Sequence, residues 1–278
     1  MATTMRARTA QAWVERYLKF LGAEAKKPSL EALQELTQAQ MSRVVFENIS
    51  TILRAYRQGT TPAPPDPEAV LDNWIAGRGG GLCYEIAPTF SALLQALGYQ
   101  VTPVSGTITW PDSHQAALVE LEEGRWLVEV GNGAPFFHPV AVEQTTELSH
   151  CGLEYRFRPA MGHLIQDRWD KEQGWKPFCD LELEAADPDR LYAAYCRHHI
   201  PGLGKFVGEL TMVACTPDRV TVLHNLTLTE YRPEGKTRVT LSLEELPSVA
   251  KSRFGLPNIP ILEAASALKA FGVNLQAE

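Results

Sequence analysis

The chain has 278 residues, 45% of them hydrophobic and 21% charged, with a formal net charge of -7; this is an ordinary globular make-up with room for two or three subdomains. No basic block stands out, which argues against nucleic-acid binding but leaves room for a local basic pocket for an anionic cofactor; no apolar run approaches a membrane span, and no apolar h-region marks a secretion signal. The five cysteines (Cys83, Cys151, Cys179, Cys196 and Cys215) are scattered without a C-x-x-C pair, which argues against a disulfide framework or a metal site and for a reducing cytoplasm.

Residues 10–58 read as helices. Ala12, Trp13, Tyr17, Leu18 and Leu21 form one apolar face closed by Gly22, and Ser29 caps a second helix with Leu30, Leu33 and Leu36 inside. Val44-Val45-Phe46-Glu47-Asn48-Ile49 leads into a third apolar stretch. Four prolines between Gly59 and Pro67 make that segment a surface loop, and a short helix over Asp66 to Trp74 follows. Next comes Arg78-Gly79-Gly80-Gly81-Leu82-Cys83-Tyr84-Glu85, then Ile86, Phe90, Leu93, Leu94 and Leu97 on one helical face, stopped by Gly98. Cys83 thus sits where a glycine turn enters a helix. Unpaired first-turn N–H groups and the dipole's positive end favour a thiolate there. The alternative is a buried structural cysteine; three glycines and a charged Glu85 beside it weigh against that. Arg78 and Glu85 read as braces of the turn.

After Gly98 the period becomes that of strands. Residues 101–109, 116–121 and 125–130 read as β-structure, with a hairpin about Glu122-Glu123-Gly124. Further strand-like runs cover 136–142, 153–158, 206–214, 219–231 and 236–242, and helices return at 243–254 and 260–271. The order is helical, then mostly β, then mixed, an α+β pattern. Neither a G-x-G-x-x-G after a strand nor a P-loop is present.

A nucleophilic cysteine needs a base and the base an orienting group. Of the seven histidines, His114 opens the first strand of the hairpin, and Glu129 nearly closes the second. A three-residue loop sets Glu129 opposite Ala117 and a two-residue loop sets it opposite Leu118. Either leaves His114 three or four residues beyond, roughly 10–13 Å along an ideal strand. Direct pairing fails, so twist, a bulge or a bend must close the gap. Strand alternation puts Glu129 with Leu127, opposite Val128 and Val130, and so facing solvent if those valines face the core. His198 and His199, as neighbours, point apart and read as a solvated surface pair.

These residues resemble the arylamine N-acetyltransferases. The family's R-G-G-x-C-x-E is similar to Arg78-Gly79-Gly80 through Cys83 and Glu85, with one extra glycine at Gly81. Its histidine strand and acidic V-G-x-G hairpin resemble His114, Ala117-Leu118-Val119 and Val128-Glu129-Val130-Gly131-Asn132-Gly133. Val45-Phe46-Glu47-Asn48 resembles its P-F-E-N element, and Ser252-Arg253-Phe254-Gly255-Leu256 its C-terminal signature. The likeness runs from about residue 15 to 262.

The resemblance implies an α+β fold in three parts: a helical bundle (1–98), a β-barrel (99–200) and an α/β lid (201–278), with a cysteine-protease-like triad. It implies ping-pong acyl transfer from acetyl-CoA, a CoA thioester, to a small-molecule arylamine, hydrazine or hydroxylamine. Cys83 is then the nucleophile, His114 the base and later acid, and Glu129 the orienter. Phe46, Asn132 and Phe206 border the acceptor, although Phe46 beside two valines also reads as core. Gly131 and Gly133 let the pantetheine arm pass near the backbone.

Departures from the family pattern are Glu129 for the usual Asp, Ala87 for an Asn, Asn132 for a pocket aromatic, Val104-Ser105-Gly106-Thr107 without its arginine, and Thr37 and Gln40 for paired histidines. They keep three alternatives open: an amide synthase drawing on a carrier-protein thioester, a cysteine hydrolase, and a non-catalytic binder.

Overall fold

The computed structural model of the chain describes residues 2–276. Helices α1 (Ala2–Leu21), α2 (Leu30–Arg43), α3 (Ile49–Gln58), α4 (Pro67–Ile75) and α5 (Cys83–Ala96) make up the N-terminal part, interrupted by the two-residue strand β1 (Phe46–Glu47). Local chemistry sets their starts. Ser29 accepts a hydrogen bond from the Ala32 N–H, and Asp66 caps α4 ahead of Pro67, whose missing N–H costs nothing at a first turn.

The next strands are β2 (Gln100–Thr107), β3 (His114–Leu121), β4 (Gly124–Val128), β5 (Val140–Ala141), β6 (Thr146–His150), β7 (Leu153–Ala160), β8 (His163–Asp170) and β9 (Gly174–Glu182). They pair in the order β5-β4-β3-β2-β9-β8-β7-β6, a barrel-like antiparallel sheet. Helix α6 (Pro188–Arg197) follows, then β10 (Thr211–Thr216), β11 (Arg219–His224), β12 (Thr227–Arg232) and β13 (Gly235–Thr240), and finally α7 (Leu246–Phe254) and α8 (Ile261–Ala270). Strand β1 joins this second sheet by pairing Phe46 with Val213, so residues early in the chain are stitched to late ones.

Three apolar clusters hold the layers. One packs Tyr17, Leu33, Leu71 and Phe90 from the helices against Val119 and Val128 on one face of β3 and β4. The opposite face supplies Leu118 and Leu127 to the barrel interior, with Phe136, Phe157 and Leu164. The third lies between α3, the second sheet and α7–α8, around Ile52, Met212 and Leu268. Because β3 and β4 are covered on both faces, both sets of alternating residues are apolar.

Several expectations are corrected here. The run over 136–142 yields only the short β5, and that over 206–214 begins as a 3-10 turn (Lys205–Val207) before β10. Strands β6, β8 and β9 and helix α6 had no counterpart in the sequence reading. His198 and His199 are buried at 1% and 0% exposure rather than solvated, because α6 carries them in under the β3 end of the barrel, where His198 meets Ser113. Among the described residues, no helix is long and apolar enough to cross a membrane.

Candidate active site

The glycine turn that starts α5 is built around contacts that tolerate no side chain. A Cβ on Gly80 would lie 1.6 Å from the Val45 carbonyl oxygen. The Gly80 carbonyl accepts from Trp74 Nε1 at 2.7 Å, and the Gly81 N–H donates to Glu47 Oε1 at 2.8 Å. Glu47 also accepts from the Ser50 hydroxyl at 2.6 Å and the Ser50 N–H at 3.0 Å, and its own N–H donates to the Gly81 carbonyl at 3.0 Å. Burial pushes the Glu47 carboxyl above its ordinary value. Its neighbour Asn48 reaches the other way: Nδ2 donates to the carbonyls of Phe206 and Glu209, and Oδ1 accepts from the Thr211 N–H. The Phe46-Glu47-Asn48 element therefore ties the nucleophile turn to the segment leading into β10.

Glu85 closes the turn from the helix side. It accepts the Leu82 N–H at 2.8 Å and pairs with Arg54. These contacts leave Cys83 as the first residue of α5, 3% exposed, where its N–H has no intrahelical acceptor.

The second and third members come from the β3–β4 hairpin. Leu121 pairs with Gly124 and Ala117 with Val128, so the turn comprises Glu122 and Glu123 alone, and continuing the register sets Glu129 opposite Ala116. The expected stagger of three or four residues is thus corrected to two. A two-residue offset keeps side chains on one face, and such diagonal neighbours lie within reach of long side chains. His114 Nε2 donates to Glu129 Oε2 at 2.7 Å, and Glu129 Oε1 accepts the Gly131 N–H at 3.2 Å. Glu129 is 1% exposed, not solvent-facing, because Leu127 on its face points into the barrel core.

The imidazole also hydrogen-bonds the Cys83 thiol. Burial pulls the His114 pKa down, but the Glu129 charge, the Cys83 sulfur and the bonds to both outweigh it and push it up to about 10. His114 is therefore a cation at neutral pH. Two glycines let the parts approach. A Cβ on Gly131 would lie 2.8 Å from Cys83 Cα, and one on Gly106 would lie 3.3 Å from His114 Cδ2.

A tight loop delivers His114. Ser113 Oγ accepts from the N–H groups of Ile108, Thr109 and Trp110. Asp112, at φ 60°, takes a two-pronged bond from Arg190 of α6, and the Tyr84 hydroxyl donates to its carbonyl. His198 Nε2 donates to the Ser113 carbonyl at 3.1 Å, and burial lowers its pKa to about 4.

Cys83 and His114 open on a cavity of about 600 Å³, within the range of small-molecule sites. Phe46, Phe206, Gly131, Asn132 and Gly133 also line it, whereas Glu129 stands behind His114. Phe46 and Phe206 meet edge to face at 5.7 Å, and Phe46 belongs to the core as well. A side chain at Gly131 would run into Cys83 and one at Gly133 into the Phe46 ring, so packing already requires both glycines. Asn132 is held by Gln166 Oε1 at 2.8 Å and Arg168 Nη2 at 2.9 Å. The sequence reading missed Tyr155, Arg168, Phe178 and His198, which also line the cavity. The only sequence signal was the spread of aromatic and charged residues over 153–182. The other departures are structural: Gln40 accepts from the Tyr17 hydroxyl, Thr37 donates to the Leu33 carbonyl, and Ala87 is buried in α5.

Residues 29–259 match a protein family described as N-acetyltransferase. The arylamine N-acetyltransferase of Mycolicibacterium smegmatis is 29% identical over 257 residues, covering 86% of this chain and 90% of that protein. Proansamycin X synthase of Amycolatopsis mediterranei is also 29% identical, over 165 residues; that match covers 56% of this chain and 62% of the synthase. The solved arylamine N-acetyltransferase from Mycobacterium abscessus superposes with a TM-score of 0.80 at 22% identity, covering 94% of this chain and 95% of that one. The Mycobacterium marinum enzyme in complex with CoA gives 0.79 at 21% identity, covering 95% and 100%.

Proposed function

Since the chain belongs to the arylamine N-acetyltransferase family, we propose that it moves an acetyl group from acetyl-CoA to an amine through a thioester on Cys83. The observation that carries this reading is the connected chain from Cys83 through His114 to Glu129, opening on a cavity of small-molecule size. The similarity to a relative solved with CoA supports a CoA thioester as donor.

Each residue has a definite task. The His114 cation favours an anion at Sγ, which attacks the thioester carbonyl. The oxyanion forms near the N-terminus of α5, where the Cys83 N–H is oriented without reorganisation. The carbonyl reforms, the C–S bond to CoA breaks, and CoA leaves with the proton from His114. An amine nitrogen then attacks acetyl-Cys83. Its proton passes to His114, and the C–S bond to Cys83 breaks, restoring the starting pair. Glu129, bonded to Nε2, fixes the ring so that Nδ1 serves the sulfur and the amine. Phe46, Phe206 and Asn132 border the acceptor. Gly131 and Gly133 leave the backbone bare where the pantetheine arm approaches.

Initial rates with acetyl-CoA and an arylamine or hydrazine test the scheme. Parallel double-reciprocal lines are expected; intersecting lines would mean that both substrates bind before any transfer. A second reading, amide formation from a carrier-protein thioester, is favoured by the polar Asn132 in the cavity wall and by the likeness to proansamycin X synthase. Slow acylation by acetyl-CoA beside fast acylation by a carrier-protein thioester would select it.

A further inference from the structure

We propose that Arg168 is the receptor for a carboxylate carried by one of the two substrates, a role that rests on the acyl-transfer reading of the same cavity. Arg168 lies on β8, between Tyr155 of β7 and Lys176 of β9 in the sheet register, and forms part of the cavity wall that also holds Cys83.

Its charge is left uncompensated by the fold. The preceding residue, Asp167, points to the other face of the strand and is shared by Arg156 and Arg158. Arg168 itself makes no ion pair among the described residues. Its one bonded acceptor is neutral, Asn132 Oδ1 at 2.9 Å, and its Nε has no partner. Glu129 attracts it from beyond ion-pairing range, but that carboxylate is already committed to His114 and the Gly131 N–H.

The guanidinium is also held in place. Its central carbon sits 3.2 Å from the Phe178 ring centroid and 5.9 Å from that of Tyr155. Gln166 fixes Asn132, which in turn fixes Nη2. Burial lowers its pKa from the ordinary value, yet an arginine remains a cation. A buried, oriented cation with no counter-charge is costly unless an anion arrives, and a planar guanidinium matches a carboxylate better than any other small anionic group of a substrate. Asn132 follows Gly131, whose backbone rests on Cys83. One small molecule can therefore engage Arg168 while its reacting atom lies at the sulfur.

The carboxylate belongs either to the acceptor, as in an amino-substituted aromatic acid, or to the acyl group, as in a dicarboxylic half-thioester. Two matched pairs of probes separate these sources. Binding of 4-aminobenzoate and 4-aminobenzamide is measured by calorimetry, and the rate of Cys83 acylation is compared for malonyl-CoA and acetyl-CoA. Wild type is compared with Arg168→Gln and with Asn132→Asp; the latter changes one terminal group and supplies the guanidinium with an internal carboxylate.

The expected result is a preference of roughly tenfold or more for the carboxylate member of one pair, collapsing in both variants. A preference in the first pair assigns the carboxylate to the acceptor, and in the second to the acyl donor. Absence of preference in both pairs, or a preference that survives both variants, overturns the proposal. If Cys83 is never acylated but the 4-aminobenzoate preference and its loss are seen, the carboxylate site stands and the transfer reading falls.

Discussion

Glu129 meets His114 across a two-residue stagger of the β3–β4 hairpin, not across a rung of the ladder. The register sets Glu129 opposite Ala116, yet Oε2 lies 2.7 Å from His114 Nε2. A glutamate has one more methylene of reach than an aspartate, and here the second oxygen is used as well, by the Gly131 N–H. The carboxylate therefore orients the imidazole and steadies the glycine that packs on Cys83.

Glu129→Gln keeps the shape but removes the charge that does most to raise the His114 pKa. Acylation of Cys83 is expected to fall by roughly 10²–10⁴-fold, the range for a disabled base or a mis-set tautomer. Rapid-quench mass spectrometry of the acyl-enzyme measures it.

The pH dependence has two opposite limbs. The His114 pKa is raised to about 10 in the folded chain, so the stability it contributes is complete below its unfolded value, ~6.5, and is lost as pH rises through about 10. Urea midpoints of wild type should fall over that alkaline window, and those of Glu129→Gln less so. By ring NMR, the His114 titration should move down in the variant.

On the acid side, burial depresses His198 and His199 to about 4. The unfolded chain binds more protons between ~6.5 and that value. Stability is therefore present above the unfolded value and lost as pH falls toward 4. A urea series from pH 7 to 4 on wild type and His198→Gln should show a shallower acid loss in the variant.

Gly131→Ala tests the close approach behind the nucleophile. Its Cβ would sit 2.8 Å from Cys83 Cα and 2.9 Å from Cys83 Cβ, both on the first turn of α5. We expect a stability loss of about 1–3 kcal/mol, as for overpacking elsewhere, with a larger loss of Cys83 alkylation rate than a remote variant of equal stability shows.

Glu47→Ala would strip the glycine turn of its acceptor for Gly81 and leave Ser50 without its carboxylate. The expected cost is about 1–3 kcal/mol per buried group left unmatched, read as a lower urea midpoint, with slower acylation because the turn that aims Cys83 is loosened.

The nucleophile turn, the helical N-terminus and the hairpin were legible because their signals are local: glycines before an apolar 3.6-residue period, and alternation about a short turn. Strands β8 and β9 were not. Their buried face carries Gln166 and Asp167, polar residues whose partners lie on other strands, and a bulge between them breaks the alternation. The hairpin register failed by the placement of one residue: Gly124, read as turn, pairs with Leu121. His198 and His199 looked solvent-facing because nothing local shows that α6 packs under the loop before His114. The cavity wall around Arg168 stayed hidden for the same reason, since it exists only once β8 is set beside Asn132.

The most direct test is intact-protein mass spectrometry after brief exposure to acetyl-CoA without acceptor, on wild type and Cys83→Ser. One acetyl group gained by wild type alone, and discharged by an added arylamine or hydrazine, is the predicted result. A folded wild type that gains no acetyl group, or a Cys83→Ser chain that gains one equally well, would contradict the account.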